Sequence, residues 1–188
     1  MPSLIEPVVP AGTLRRMGGQ PTLHVDELTL RPWQPEDAPA VVAAYRDPDI
    51  QQWHARTVDE TEVAVWIEDA HLRWLDERGA LWAVEADGEV VGRAGLRTIG
   101  LFEGSGEFAY WVTKAGRGRN VAARAVTAVT EWALALGLHR LTIVHSVANV
   151  ASCRVAEKAG FPLESTERSS VLHPDGWHDM HVHVRIAE

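Results

Sequence analysis

The sequence holds a single cysteine, Cys153, among 188 residues, so no internal disulfide can form. A reducing compartment, by default the cytoplasm, fits that scarcity. No apolar run approaches the roughly 18 residues that a membrane span needs. The opening stretch MPSLIEPVVPAGTLRRMGG lacks a basic start followed by an apolar segment, which argues against a secretory signal. Positive charge is in deficit: 18 Lys and Arg against 26 Asp and Glu give a formal net charge of −8. A general nucleic-acid binder needs the opposite balance to neutralise phosphates. The acidic sign suits a cationic acceptor such as an amine, although many enzymes carry it for solubility alone. Internal repeats are absent as well, which excludes a solenoid. What remains is an ordinary globular composition, 46% hydrophobic and 23% charged, long enough for one domain with a sizeable core.

Residues 1–26, with four prolines among the first 21, read as an irregular arm that packs on its own sheet or on a second copy in a homodimer. A first strand is expected over 27–33, then a helix opened by Pro35, Glu36 and Asp37 and stopped by Asp47-Pro48. Thr57-x-x-Glu60 has the capping-box spacing, and Val63, Trp66, Ile67, Ala70 and Trp74 follow with helical period up to Gly79. Strands over 80–86 and 89–97 flank Asp87-Gly88, a type I′ hairpin signal, and another strand spans 106–113. Val121, Ala125, Val129, Trp132 and Leu136 give a long helix one apolar face. A β-branched strand (140–146), a short helix (151–159) and a closing strand or strand pair complete the chain. In the closing strand Met180, Val182, Val184 and Ile186 alternate with polar residues, so one face is expected in the core and the other in water. The domain, residues 27–188, is therefore of the α/β (α+β) class. It has a mixed, mostly antiparallel sheet of six to seven strands with helices on both faces.

The loop KAGRGRN (114–120) runs from a strand into the long helix. Gly116 and Gly118 permit a tight turn, Arg117 and Arg119 add charge, and the helix opens with unsatisfied N–H groups. This is an anion site suited to a phosphate or pyrophosphate, or else a basic connection with no ligand. Asn149 and Ser152 stand at the mouth of the short helix after a strand end, as a cap or facing a cleft.

WVTKAGRGRNVAARAV is similar to the coenzyme-A-binding motif of the GNAT acetyltransferases, R/Q-x-x-G-x-G/A. NVASCRVAEKAGF resembles the N-x-x-S-x-x-x-x-x-K-x-G-F segment of the subgroup related to ribosomal-protein N-terminal (alanine/serine) acetyltransferases. LTLRPWQPEDAPAV and DGWHDMHVHV resemble that subgroup's opening and closing elements, and the four segments stand in family order over about 27–187. The resemblance implies the GNAT fold, acetyl-coenzyme A as cosubstrate, and attack of an amine on the thioester. It implies pairing of the pantetheine arm along 110–113, including Trp111, Val112 and Thr113. The pyrophosphate would rest on Arg117, Gly118, Arg119, Asn120, Val121 and Ala122, with Asn149 and Ser152 completing the donor site. Asn120 departs from the motif, which has glycine there. Asn is the next most tolerant residue for left-handed backbone.

As catalytic candidates the resemblance implies Glu107, accepting the amine proton, and Ser152, donating to the departing thiolate. Each also reads as structural, Glu107 as a solvated strand-start carboxylate and Ser152 as a first-turn polar residue. His145 is a reserve base or a strand histidine. His173, His178, His181 and His183 raise a metal reading. Because His181 and His183 fall on a polar strand face without matched ligand spacing, no metal is expected. Cys153 reads as packing. Trp53, expected in a loop, and Trp177 read as structural anchors or as an aromatic wall for the acceptor. The leading expectation is an N-acetyltransferase acting on a protein N-terminus or a small amine. The alternatives are a GNAT module that binds coenzyme A without catalysis and a GNAT-type transferase using aminoacyl-tRNA.

Overall fold

The computed structural model describes residues 4–188; Pro2, one of the four prolines of the arm, lies outside them. One eight-stranded sheet runs in the order β1-β2-β3-β4-β5-β6-β8-β7. Its strands are β1 (Leu23–Val25), β2 (Leu28–Arg31), β3 (Ala80–Ala86), β4 (Glu89–Gly100), β5 (Ser105–Val112), β6 (Arg140–Ser146), β7 (Leu163–His173) and β8 (Gly176–Ile186). All neighbours are antiparallel except β5 and β6. The helices are α1 (Thr13–Arg16), α2 (Ala38–Tyr45), α3 (Pro48–His54), α4 (Val63–Leu75), α5 (Val121–Ala135) and α6 (Val150–Lys158). One core packs α5 and α6 against Leu96, Phe108, Leu141 and Ile143. The other packs α2, α3 and α4 against Trp33, Ala83 and Trp111. Helices thus cover both faces, and the sheet has one strand more than the six to seven expected.

The extra strand is β1, within the stretch expected to be irregular. Asp26 takes a left-handed φ of 50° and returns the chain onto β2. Farther up, Val8 and Val9 donate backbone hydrogen bonds to Phe102 and Leu101 at 3.0 Å each, and Val9 and Leu14 are fully buried. The turn after α4 completes this docking. Glu77, at φ 57°, presents a buried carboxylate that accepts from the backbone N–H groups of Gly12 (2.6 Å) and Leu14 (2.8 Å). The arm is thereby bonded to its own domain.

Two helix boundaries differ from the sequence reading. Asp47-Pro48, expected as a stop, is also a start: Asp47 caps α3 by accepting from Asp49 N, with Pro48 at the first helical position. Trp53 therefore lies on a helix and not in a loop. The entry to α4 uses Asp59-x-x-Glu62 instead of Thr57-x-x-Glu60. Asp59 Oδ1 accepts from the N–H groups of Thr61 and Glu62, and the Glu62 carboxylate accepts from Asp59 N. Both pairs have the capping spacing, so only the position of the first packed turn chooses between them.

The Asp87-Gly88 hairpin forms as expected, with φ of 53° and 80°. β8 is different. Met180, Val182 and Val184 are buried, but so is His183, at 1% exposure, on the face expected to be wet. α6 and the residues after it cover that face, and Phe161 O accepts from His183 Nδ1 at 2.9 Å.

Candidate functional site

β5 and β6 start side by side in parallel and then part. Their register covers only Ser105↔Arg140, Gly106↔Leu141 and Glu107↔Thr142. Beyond Glu107 the far half of β5 remains paired on one side, with β4. Thr113 N donates to Val91 O at 2.9 Å, and Arg93 pairs with Trp111. In an antiparallel ladder alternate residues turn their polar groups the same way, so Trp111 and Thr113 are committed to β4. The backbone groups of Tyr110 and Val112 face the opened edge. Of the segment 110–113 expected along the donor, Tyr110 and Val112 therefore offer their backbone there, and Trp111 and Thr113 do not.

Side chains of β5 alternate between the two faces of the sheet. On one face the Tyr110 hydroxyl lies 2.5 Å from Ser152 Oγ. Ser152 is fixed on α6 because Asn149 Oδ1 caps the helix by accepting from Ser152 N at 3.0 Å. Burial pushes the Tyr110 phenol up to about 12, so it keeps its proton at neutral pH. Sequence reading had Tyr110 only within the backbone-pairing segment 110–113 and missed its hydroxyl. Its strand position was plain, but the partner that gives it meaning is 42 residues away.

On the other face, Tyr45, His54, Arg56, Trp66, Asp69, Arg73, Arg93 and Arg97, with neighbouring residues, line a cavity of about 330 Å³ whose floor reaches Ala109 of β5. Four arginines against one aspartate make this pocket cationic. Arg93 is buried, donates to the Tyr45 hydroxyl at 3.2 Å, and lies over the Trp66 ring at 5.8 Å from its centroid. Its Nε is buried with no protein partner among the described residues. Burial and the neighbouring Arg56 and Arg97 charges lower its affinity for a proton. His54 donates from Nε2 to the Tyr110 carbonyl at 3.1 Å. Desolvation, with Arg93 nearby, pushes His54 down to about 3, so the ring is neutral. Glu107 stands on the same face of β5, two residues before Ala109, and its carboxylate is paired with Arg97. Arg97 projects there because a bulge shifts the β4–β5 register between Leu96 and Thr98.

At the phosphate loop, Gly118 (φ 78°) and Asn120 (φ 56°) curl the backbone immediately before α5. The first α5 hydrogen bond is Arg124 N to Asn120 O, leaving the N–H groups of Val121 and Ala122 free of intrahelical partners. Asn120 adopts the left-handed backbone that motif glycine permits, and its Oδ1 accepts from Lys158 Nζ at 2.6 Å. Lys158, absent from the expected site, brings an ammonium beside the first turn. The two loop arginines are already engaged. Arg117 bridges Asp49 (2.6 Å) and Asp47 (2.9 Å), while Arg119 reaches Asp87 (3.4 Å) and Glu27 (3.6 Å). Arg117 therefore braces the loop against α3 instead of facing an anion with a free charge.

Trp53 packs edge-on to His173 (5.9 Å) and His178 (6.3 Å), tying α3 to the β7–β8 hairpin. Trp177 neighbours His178 in β8, on the opposite strand face, and is 65% exposed. The two tryptophans do not form one wall. His145 is buried, donates from Nδ1 to Ser146 O, and is held below the usual histidine range mainly by desolvation.

Residues 27–162 match the family model described as the acetyltransferase (GNAT) domain. The chain belongs to the GNAT acetyltransferases. It is 24% identical over 168 residues to the uncharacterized N-acetyltransferase YoaA of Bacillus subtilis, covering 87% of this chain and 95% of that one. RimL, a ribosomal L7/L12 α-N-protein acetyltransferase solved with coenzyme A, superimposes with a TM-score of 0.82 at 20% identity, over 89% and 98% of the chains. The microcin C7 self-immunity acetyltransferase MccE, solved with acetyl-coenzyme A and AMP, gives 0.78 at 17% identity, over 86% and 93%. The protein is a GNAT N-acetyltransferase, and its family chemistry is acetyl transfer from acetyl-coenzyme A. Among the described residues, no helix is long and apolar enough to cross a membrane.

Asn120 gives a direct test of the donor loop. Asn120→Gly is expected to keep acetyl-coenzyme A affinity within about threefold, since both residues tolerate positive φ. Asn120→Val forces a β-branched residue into left-handed backbone, at about 1–3 kcal/mol, and is expected to weaken binding at least about tenfold. Calorimetric titration measures both, and a Val variant that binds like the parent overturns this account of the loop.

Proposed function

We propose that this enzyme acetylates a primary amine, of a protein N-terminus or a small molecule, whose body carries a carboxylate or phosphate near the reacting nitrogen. The observation that carries the reading is the arginine-lined cavity opening at Ala109, across β5 from the Tyr110–Ser152 pair. The chain's net charge of −8 suited a cationic acceptor, but the local charge of this cavity is the reverse. Arg93, already desolvated and with an unpartnered N–H, is suited to receive an anionic group. The surrounding cations also disfavour the ammonium form of a nearby amine, which favours its nucleophilic free base.

In this reading the pyrophosphate rests on Gly118, Arg119, Asn120 and the free amides of Val121 and Ala122, with Lys158 beside them. The pantetheine arm follows the Tyr110–Val112 edge, and the thioester enters where β5 and β6 part. The ammonium first loses a proton to Glu107, directly or through water. The nitrogen then attacks the carbonyl carbon, the C–N bond forms, the C–S bond breaks, and coenzyme A leaves as thiolate. The second amine proton goes to solvent, and the thiolate gains one. Tyr110, with its phenol held near 12, stabilises the thiolate by donating a hydrogen bond through or beside Ser152 and does not surrender its proton fully.

Thiol release from acetyl-coenzyme A over an amine panel tests the proposal. Carboxylate- or phosphate-bearing amines are expected to exceed neutral isosteres at least about tenfold in kcat/KM. A preference for polyamines sinks the anionic acceptor, and donor binding without acceptor-dependent release supports a binding module instead. Glu107→Gln is expected to lower kcat by about 10²-fold with donor affinity unchanged. A loss of about tenfold or less at saturating acceptor removes Glu107 as the base.

A further inference from the structure

His145 on β6 and His181 and His183 on β8 project from one face of the sheet, and α6 lays Cys153 over them. His145 is directly opposite His181, and Ile143 opposite His183, so the three rings are cross-strand and diagonal neighbours. Ring centroids lie 5.1–5.9 Å apart. Each of the four residues offers one ligand atom, and these atoms all lie within 4.8 Å of one another.

The hydrogen bonds around the cluster fix which nitrogens face inward. His145 donates from Nδ1 to Ser146 O at 2.8 Å, and His183 donates from Nδ1 to Phe161 O at 2.9 Å. Both rings therefore present an Nε2 lone pair. Backbone carbonyls on the outer nitrogen are the arrangement that orients metal-binding imidazoles. Among the described residues, His145 Nε2 and His181 Nδ1 are buried with no protein partner, although His145 is 95% buried and such atoms are costly to leave unsatisfied. Cys153 Sγ stands 4.0 Å from His183 Nε2, and 3.7 Å from a Glu157 carboxylate oxygen that balances charge at the rim.

We propose that His145, Cys153, His181 and His183 form a closed metal site for a borderline-soft divalent cation, zinc above all. Three imidazoles and a thiolate make a tetrahedral N₃S set, and all four positions are filled by protein, as in structural sites. Ideal zinc bonds put ligand atoms roughly 3.3–3.7 Å apart, so the cluster tightens by about 1 Å on binding. The cysteine thiol releases its proton to solvent as the metal–sulfur bond forms. The ion staples α6 to β6 and β8. Because Ser152 precedes Cys153 on α6, the staple holds the Ser152–Tyr110 pair in register.

The test uses tag-free full-length protein, stripped with a chelator and free of coenzyme A, titrated with cobalt(II) and then zinc(II). One cobalt per chain is expected, with the intense visible bands of tetrahedral cobalt and a thiolate charge-transfer band. Stoichiometric zinc is expected to displace it and raise Tm. Cys153→Ser is expected to fold, to lose the charge-transfer band and to weaken zinc binding at least about tenfold. His181→Asn, at a partly exposed position, is expected to weaken binding likewise. A weak six-coordinate cobalt spectrum, or binding unchanged in both variants, overturns the site and leaves a hydrogen-bonded histidine cluster.

Discussion

Arg93→Met is expected to raise KM for an anionic acceptor on the order of 10²-fold while leaving the fold as stable as before or more so. The two effects have separate causes. A buried guanidinium bonded to one phenol and one ring face is held there at a desolvation cost, which an apolar side chain of similar length removes. Truncating the cationic partner of a desolvated charge pair costs about 2–5 kcal/mol in binding, which corresponds to the expected KM change. Initial rates with paired acceptors, one bearing a carboxylate and one a neutral isostere, measure the selectivity, and thermal unfolding measures stability. Equal losses for both acceptors overturn the role given to Arg93. A fall in Tm of several degrees overturns the account of its burial.

Gly95→Ala is expected to destabilise the domain by about 3 kcal/mol or more. Gly95 lies at φ 157° in β4, opposite Leu81. An added Cβ would overlap the Ala80 carbonyl oxygen and stand 2.8 Å from Leu81 Cα. These are backbone atoms of the paired strand and cannot turn aside. The consequence extends to the site, because the bulge that aims Arg97 at Glu107 begins one residue later. Urea unfolding reads the loss, and an unchanged midpoint contradicts the close approach of β3 and β4.

Much of the fold was legible because its signals are local. Asp87-Gly88 required positive φ twice and formed the expected hairpin, and the apolar stripe of α5 found its core. Asn120 was readable in the same way, since left-handed backbone is a property of one residue. Errors arose where two local signals competed. Asp47-Pro48 reads equally as an ending and as a beginning, and TVDETE contains two capping spacings. In both places packing of the following turn made the choice.

The sequence by itself determined the family and most of the strands and helices in chain order, because these reside in short segments whose backbone demands are local. The tertiary structure alone decided what the charges do. It turned Arg117 into a brace for α3 and gathered four arginines into one pocket of an acidic protein. It also buried His183 on a face whose alternation reads as wet and brought Cys153 to it across 30 residues of chain. Electrostatics and metal ligation depend on distances of a few ångströms, and sequence separation carries no information about those until the sheet and its helices are assembled.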